Sequence, residues 1–275
     1  MKNSFVIGII LLCLPLGIHA QELTKMWETD TVFSVPESVL FADSVLYVSN
    51  VSGKPTEKNG LGYISKVSLS GEIIIDKWAT GINAPKGMGL FNGQLYVSDI
   101  DRVLVFDVSS GMLLKEFAFP EANFLNDIAI SASGKVYISD MTNNTIYKID
   151  KGSSKKLITD ERINYVNGLY CEGEVLFAGS GNGVYKLNSK GEIIEHYIKD
   201  TGGIDGLEKV GKGTFLISDW SGKVHLIASD KEPVLLLHFE SDTYNAADIG
   251  FDYENQIMYL PTFFGKTVAA YRLKQ

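Results

Sequence analysis

Histidine and cysteine are scarce in this 275-residue chain, which has four of the first and two of the second. Cys13 falls in the apolar N-terminal stretch, so the rest of the chain holds Cys171 alone and no internal disulfide can form. Cys171 lies between Tyr170 and Glu172 in an expected strand, with no histidine near it in sequence. That context fits a buried, inert thiol, and no Cys–His or Ser-His-Asp arrangement for covalent catalysis is visible. Basic blocks are missing as well, and the net charge is −8. This speaks against nucleic acid as a partner. Apolar runs are confined to residues 5–18, too short for a comfortable membrane span, so no transmembrane segment is expected in the mature chain. With Lys2 before it and His19-Ala20-Gln21 after it, the run has the form of a signal peptide cleaved after Ala20. The expectation is an exported protein, periplasmic or secreted, in which residues 1–20 are the leader and residues 21–275 one domain.

What the chain does have is repetition. Pro36-Glu37-Ser38 leads to Leu46-Tyr47-Val48-Ser49, and Pro85-Lys86-Gly87 leads to Leu95-Tyr96-Val97-Ser98-Asp99. Leu125-Asn126-Asp127, Val166-Asn167-Gly168, Ile204-Asp205-Gly206 and Ala247-Asp248-Ile249 each lead to a similar apolar run. The opening positions 37, 86, 126, 167, 205 and 247 recur with a period near 40. About four strands per unit at that period is the signature of an all-β, six-bladed propeller. In the third unit the strands are expected at 128–130, 135–139, 145–150 and 156–159, with turns at Ser133-Gly134, Asn143-Asn144 and Gly152-Ser153. The sixth unit runs out after three strands. Residues 23–33 are therefore expected to supply its fourth and close the ring, which removes two free sheet edges.

Propeller geometry turns the repeat into a site. All innermost strands run the same way, so the opening residues converge at one mouth of the channel. They read Glu37, Lys86, Asn126, Asn167, Asp205 and Ala247. Buried polar groups need partners, water or an ion. Glu37, Asn167 and Asp205 offer hard oxygen donors, which suit Ca²⁺ first and Mg²⁺ or Mn²⁺ less well; Zn²⁺ would recruit His or Cys. Equally open on residue chemistry is a metal-free mouth in which Lys86 neutralises Glu37 and the amides bridge to water. Residues 50–62 form a turn about twice as long as its counterparts and belong beside the mouth, as a lid or as a solvated hairpin. Asp99, Asp101, Asp140 and Asp219 read as blade-geometry residues.

The set Glu37, Asn126-Asp127, Asn167-Gly168-Leu169 and Asp205-Gly206 resembles, in identity, order and spacing, the site of the senescence marker protein/gluconolactonase family, regucalcin-like six-bladed propellers that include lactonases. The resemblance covers essentially the whole mature chain. It implies that Glu37, Asn167 and Asp205 hold a divalent metal, that Asn126 contacts metal-bound water or substrate, and that Asp205 is the general base. The chain departs from that pattern in three places. Ser38-Val39-Leu40 stands where the family has Gly-Pro and an aromatic residue, Phe124 where it has Arg, and Ser131 where it has Asp.

Two classes of function follow. One is a metal-dependent hydrolase of a small lactone or ester. Its pocket would be lined by Lys86, Phe124, Met141, Trp220, Phe263 and Phe264, more apolar than a sugar lactone needs, because Phe124 replaces a charge. The other is a non-enzymatic, NHL-like propeller that binds a small ligand or a protein at the same mouth.

Overall fold

Strands that are apolar on both faces belong in the middle of packed layers, and the computed structural model places them there. It describes residues 21–42, 44–241 and 243–274; the expected leader lies outside them. Twenty-four strands form six four-stranded antiparallel sheets, and the described residues contain no α-helix, only three short 3₁₀ turns. Blade 3 shows the pattern: Leu125–Ile130, Val136–Asp140, Thr145–Asp150 and Ser153–Thr159 run from the channel outward as strands A to D. The first strand, Glu22–Glu28, pairs with the last, Val268–Lys274, so that blade 6 is built from both ends of the chain. The paired segment is shorter than the expected 23–33, because residues 29–33 already lead across to blade 1. There Phe33 is buried against Val39 and Val268. Trp27 locks the crossing: its indole N–H donates to the Leu69 carbonyl at 2.9 Å, and its ring lies against Tyr259.

Six hydrophobic clusters fill the six seams between neighbouring blades. Leu95 and Ile138 are fully buried in two of them, and truncating either to Ala would cost roughly 2–5 kcal/mol. A seventh cluster, Val51, Ala84, Ile100, Ala247 and Phe263, sits at the mouth between blades 6, 1 and 2.

The repeated Ser-Asp at the end of strand B has a local cause. The hydroxyls of Ser49, Ser139 and Ser218 accept the backbone N–H of Ser38, Asp127 and Gly206, each one residue past an opening position. The carboxylates of Asp99 and Asp140 accept the N–H groups of Asn83 and Ala84, and of Asn123 and Phe124, where the chain approaches strand A. These side chains satisfy backbone donors that the sheet ladder leaves free. The ladder is irregular at that point. In blades 1, 2 and 3 the register between strands A and B shifts across Pro36/Ser38, Pro85/Met88 and Leu125/Ile128. A bulge of this kind re-aims a side chain, and the side chains concerned are Glu37, Lys86 and Asn126.

Candidate functional site at the channel mouth

Convergence of six inner strands leaves little room beside the opening residues. A Cβ on Gly87 would lie 2.5 Å from the Asp127 Cα, one on Gly168 2.5 Å from the Asp205 carbonyl, and one on Gly206 2.6 Å from the Ile249 nitrogen. The glycine after Lys86, Asn167 and Asp205 is therefore imposed by the next blade's inner strand. Asn167 and Asp205 precede their assigned strands by two residues, yet their N–H groups already pair with Gly179 and Ser218. Their side chains are held as firmly as those inside a strand.

A cavity of about 590 Å³ opens at this mouth. Its floor includes Glu37, Lys86, Asn126, Asn167 and Asp205; its walls include Phe124, Met141, Trp220 and Phe263. Phe264, expected in the same pocket, stands outside the lining. It is 56% exposed and packs edge-on against Trp220 and Phe263. Ala247 is buried in the mouth cluster and contributes no polar atom.

The floor is rich in acceptors. Asn167 Nδ2 donates to Asp205 Oδ1 at 2.8 Å. Glu37 Oε2, Asn126 Oδ1 and Asn167 Oδ1 are buried with no hydrogen-bond partner in the protein. Leaving such atoms unsatisfied costs on the order of 1–3 kcal/mol each, so three at one mouth call for a donor or a cation from outside the chain. Electrostatics agree. Burial, reinforced by the Asp205 charge, pushes the Glu37 carboxyl well above the usual range, although Lys86 pulls it back. Burial pushes Asp205 up to about 7 against the opposing hydrogen bond from Asn167. Asp127 is likewise raised to about 7 by burial, and it accepts backbone N–H groups from Ile128 and Leu169.

Lys86 forms no direct ion pair with Glu37, although each charge favours the other across the mouth. Its ammonium is 1% exposed and makes no ion pair within 4.0 Å among the described residues. It donates instead to the carbonyls of Pro55 at 2.9 Å and Ala84 at 3.1 Å, and lies 4.5 Å from the centroid of the Phe124 ring. Burial lowers its pKa while Glu37 and Asp99 oppose the shift. The corner where Phe124 replaces an expected arginine is therefore not without charge, because Lys86 brings an ammonium to it from the neighbouring blade.

Pro55 lines the cavity, in keeping with the place expected for the 50–62 turn, whereas sequence reasoning missed Tyr165 as a lining residue. Tyr165 stands two residues before Asn167, the register in which Phe124 stands before Asn126, so the repeat contained the signal. Its φ of 52° turns the backbone out of the extended path. Phe263, with φ 47°, does the same on the opposite wall. Left-handed backbone at bulky residues costs roughly 1–3 kcal/mol and concentrates at functional sites. Among the described residues no group of three His, Cys, Asp or Glu is placed to hold a metal. The candidate donor set draws instead on two amide oxygens beside two carboxylates, and it fits a hard, oxygen-preferring cation.

No protein-family model and no curated protein matches the sequence. Solved structures do. A candidate gluconolactonase superposes with a TM-score of 0.66 at 16% identity, covering 93% of each chain. The virginiamycin B lyase of Staphylococcus aureus superposes at 0.65 and 13% identity, over 93% of this chain and all of that one. A catalytically inactive histidine-to-alanine form of the same lyase, bound to quinupristin, gives 0.63 and 14%. Likeness at these identities establishes the fold. The chain is a six-bladed β-propeller closed by its N-terminal strand, with the architecture of gluconolactonase-like and streptogramin lyase propellers.

Proposed function

We propose that this propeller is an exported hydrolase of small lactones or esters that works with a divalent cation at the channel mouth. The observation that carries the reading is the set of three buried, unpartnered oxygens on Glu37, Asn126 and Asn167, next to Asp205 in one cavity. These four residues would hold the cation, Ca²⁺ before Mg²⁺ or Mn²⁺. When bound, such an ion polarises a carbonyl and acidifies water. The chain's own residues do the rest. Asn167 fixes the Asp205 carboxylate by its hydrogen bond, and that carboxylate would take the proton from the attacking water and return it to the leaving group. Phe124, Met141, Trp220 and Phe263 exclude water and favour a ligand with an apolar ring or acyl group.

The inactive lyase variant ties that enzyme's activity to a histidine. Here His196, His225 and His238 lie in outer strands and none lines the cavity, so the present reading rests on carboxylates. The same acceptor-rich floor would also serve an NHL-like binding protein that holds a hydroxylated ligand without turning it over. The deciding experiment is a panel of aliphatic, aryl and sugar lactones and esters, assayed with Ca²⁺, Mg²⁺, Mn²⁺ and with a chelator. Cation-dependent turnover that is lost in Asp205→Asn supports the hydrolase. Ligand binding without turnover under every cation supports the binding protein.

A further inference from the structure

Lys86 is the one buried ammonium at the mouth, and the mouth chemistry proposed above does not use it. Its three N–H groups have three destinations: the Pro55 carbonyl, the Ala84 carbonyl and the face of Phe124. Ala84 belongs to the lysine's own approach to strand A. Pro55 belongs to the long turn of blade 1, residues 51–61, and lines the cavity. The same turn meets blade 2 twice more. Lys58 pairs with Asp101 at 2.5 Å, and the Gly60 N–H donates to Asn83 Oδ1 at 3.2 Å. Within the turn, Lys54 and Glu57 bond to each other's backbone, and the Asn59 side chain ties Ser52 to Leu61.

We infer that Lys86 is a positioning residue that pins the 51–61 turn across blade 2 as a wall of the cavity, and so sets which ligands fit. Burying a lysine is costly unless its charge is met. The Glu37 charge favours the ammonium across the mouth, yet the two share no hydrogen bond: Glu37 Oε2 is left without a partner and the Lys86 N–H groups go to two carbonyls. A lysine arranged in this way organises chain. Of the three contacts to blade 2, the Lys58–Asp101 pair is exposed to solvent and worth little by itself. The contact of Lys86 with Pro55 is sheltered and charge-assisted, which makes it the strong one. The inference requires only that the cavity binds a ligand, so it stands apart from the hydrolase reading.

The test uses limited proteolysis and a double-mutant cycle on the full chain. Lys58 is exposed but tied to Asp101, so the rate of tryptic cleavage after it reads how firmly the turn is held; Lys54 precedes proline and resists. In Lys86→Met, cleavage after Lys58 is expected to accelerate at least tenfold, while Asp101→Asn gives less than threefold. If Lys86→Met fails to fold, Lys86→Gln, which keeps a polar head, takes its place with the same expectation. Once a turned-over or bound ligand is in hand from the panel, Lys86→Met should change KM or Kd between small and bulky ligands more than it changes kcat. That change should vanish when residues 53–59 are replaced by a short glycine link, because Lys86 would then have nothing to hold. Unaltered cleavage after Lys58 in a folded Lys86 variant overturns the inference. So does a selectivity change of equal size with and without the turn.

Discussion

Asn167 Nδ2 donates to Asp205 Oδ1 at 2.8 Å, while the Asn167 side-chain oxygen is buried with no partner among the described residues. One residue thereby steadies a carboxylate and presents an acceptor to the cavity. Asn167→Ala removes both effects. Cation affinity measured by calorimetry should fall at least about tenfold, with little change in the melting of the cation-free protein. In that variant Asp205 also loses the bond that lowers its pKa, so its titration, followed by carboxyl NMR, should move to higher pH.

Acidity should stabilise the cation-free protein. Asp205 and Asp127 titrate near 7 when folded, and Asp248 and Glu37 are likewise raised well above the usual carboxylate range, in each case first by burial. Unfolded carboxyls titrate near 4. Between those values the folded chain binds more protons than the unfolded one, so stability falls as pH rises through the folded pKa. Calorimetry in the presence of chelator should therefore give a higher melting temperature at pH 5 than at pH 7.5. A flat profile would show that these carboxyls are matched by partners other than protons.

Added cation should reverse that slope. An ion at Glu37, Asn126, Asn167 and Asp205 competes with protons, so its affinity must rise with pH. At a hundredfold excess over Kd it would add about 2.7 kcal/mol. For a domain of this size that is a rise of roughly 5–10 °C in melting temperature at pH 7.5. Ca²⁺ should exceed Mg²⁺ in this effect, and Asp205→Asn should abolish it.

Phe124 has two neighbours to serve, the cavity and the Lys86 ammonium 4.5 Å from its ring. Phe124→Leu keeps most of the volume and removes the π face. It should cost about 1 kcal/mol in urea denaturation and shift ligand preference only slightly. Phe124→Arg would set a second cation against a buried one. It should destabilise the protein strongly in addition to moving preference towards acidic lactones, unless the ligand's own charge separates the pair.

Removing residues 21–28 should expose the edge of Val268–Lys274, which the first strand otherwise covers along its whole length. A sheet edge freed in this way is a template for other chains. The deletion should produce oligomers in light scattering at concentrations where the full chain scatters as a single species.

The propeller was legible because its cause is repetitive. An apolar run recurs with every blade, a turn glycine with most and a terminal Ser-Asp with three, and each has a local backbone task that a single sequence displays. The ring of opening residues was legible for the same reason, down to the glycine after Lys86, Asn167 and Asp205. What the repeat does not carry is direction across blades. That Lys86 reaches Pro55 rather than Glu37 depends on the path of an inserted turn with no counterpart elsewhere in the chain. That Phe264 packs outward while Phe263 faces the cavity depends on one residue with positive φ in a 3₁₀ turn. Adjacent aromatics look equivalent in a sequence, and a change of backbone hand separates them. The apolar walls were read from three turns between strands B and C, which carry Met141, Trp220, Phe263 and Phe264, and from the register position of Phe124. Tyr165 was missed because that register was applied to a single blade.

The pairing of Glu22–Glu28 with Val268–Lys274 also imposes an order in time. A ribosome makes the first of these strands long before the second, and blade 6 cannot exist until both are available. Until Val268–Lys274 has been made, Glu22–Glu28 is an unmatched strand, and the blades already complete have not met end to end. A chain that stops before that strand is not a slightly smaller protein but an unclosed one, with the mouth it should frame lacking a sixth side. Closure is thus a late event, made by hydrogen bonds that form only once both strands have been synthesised.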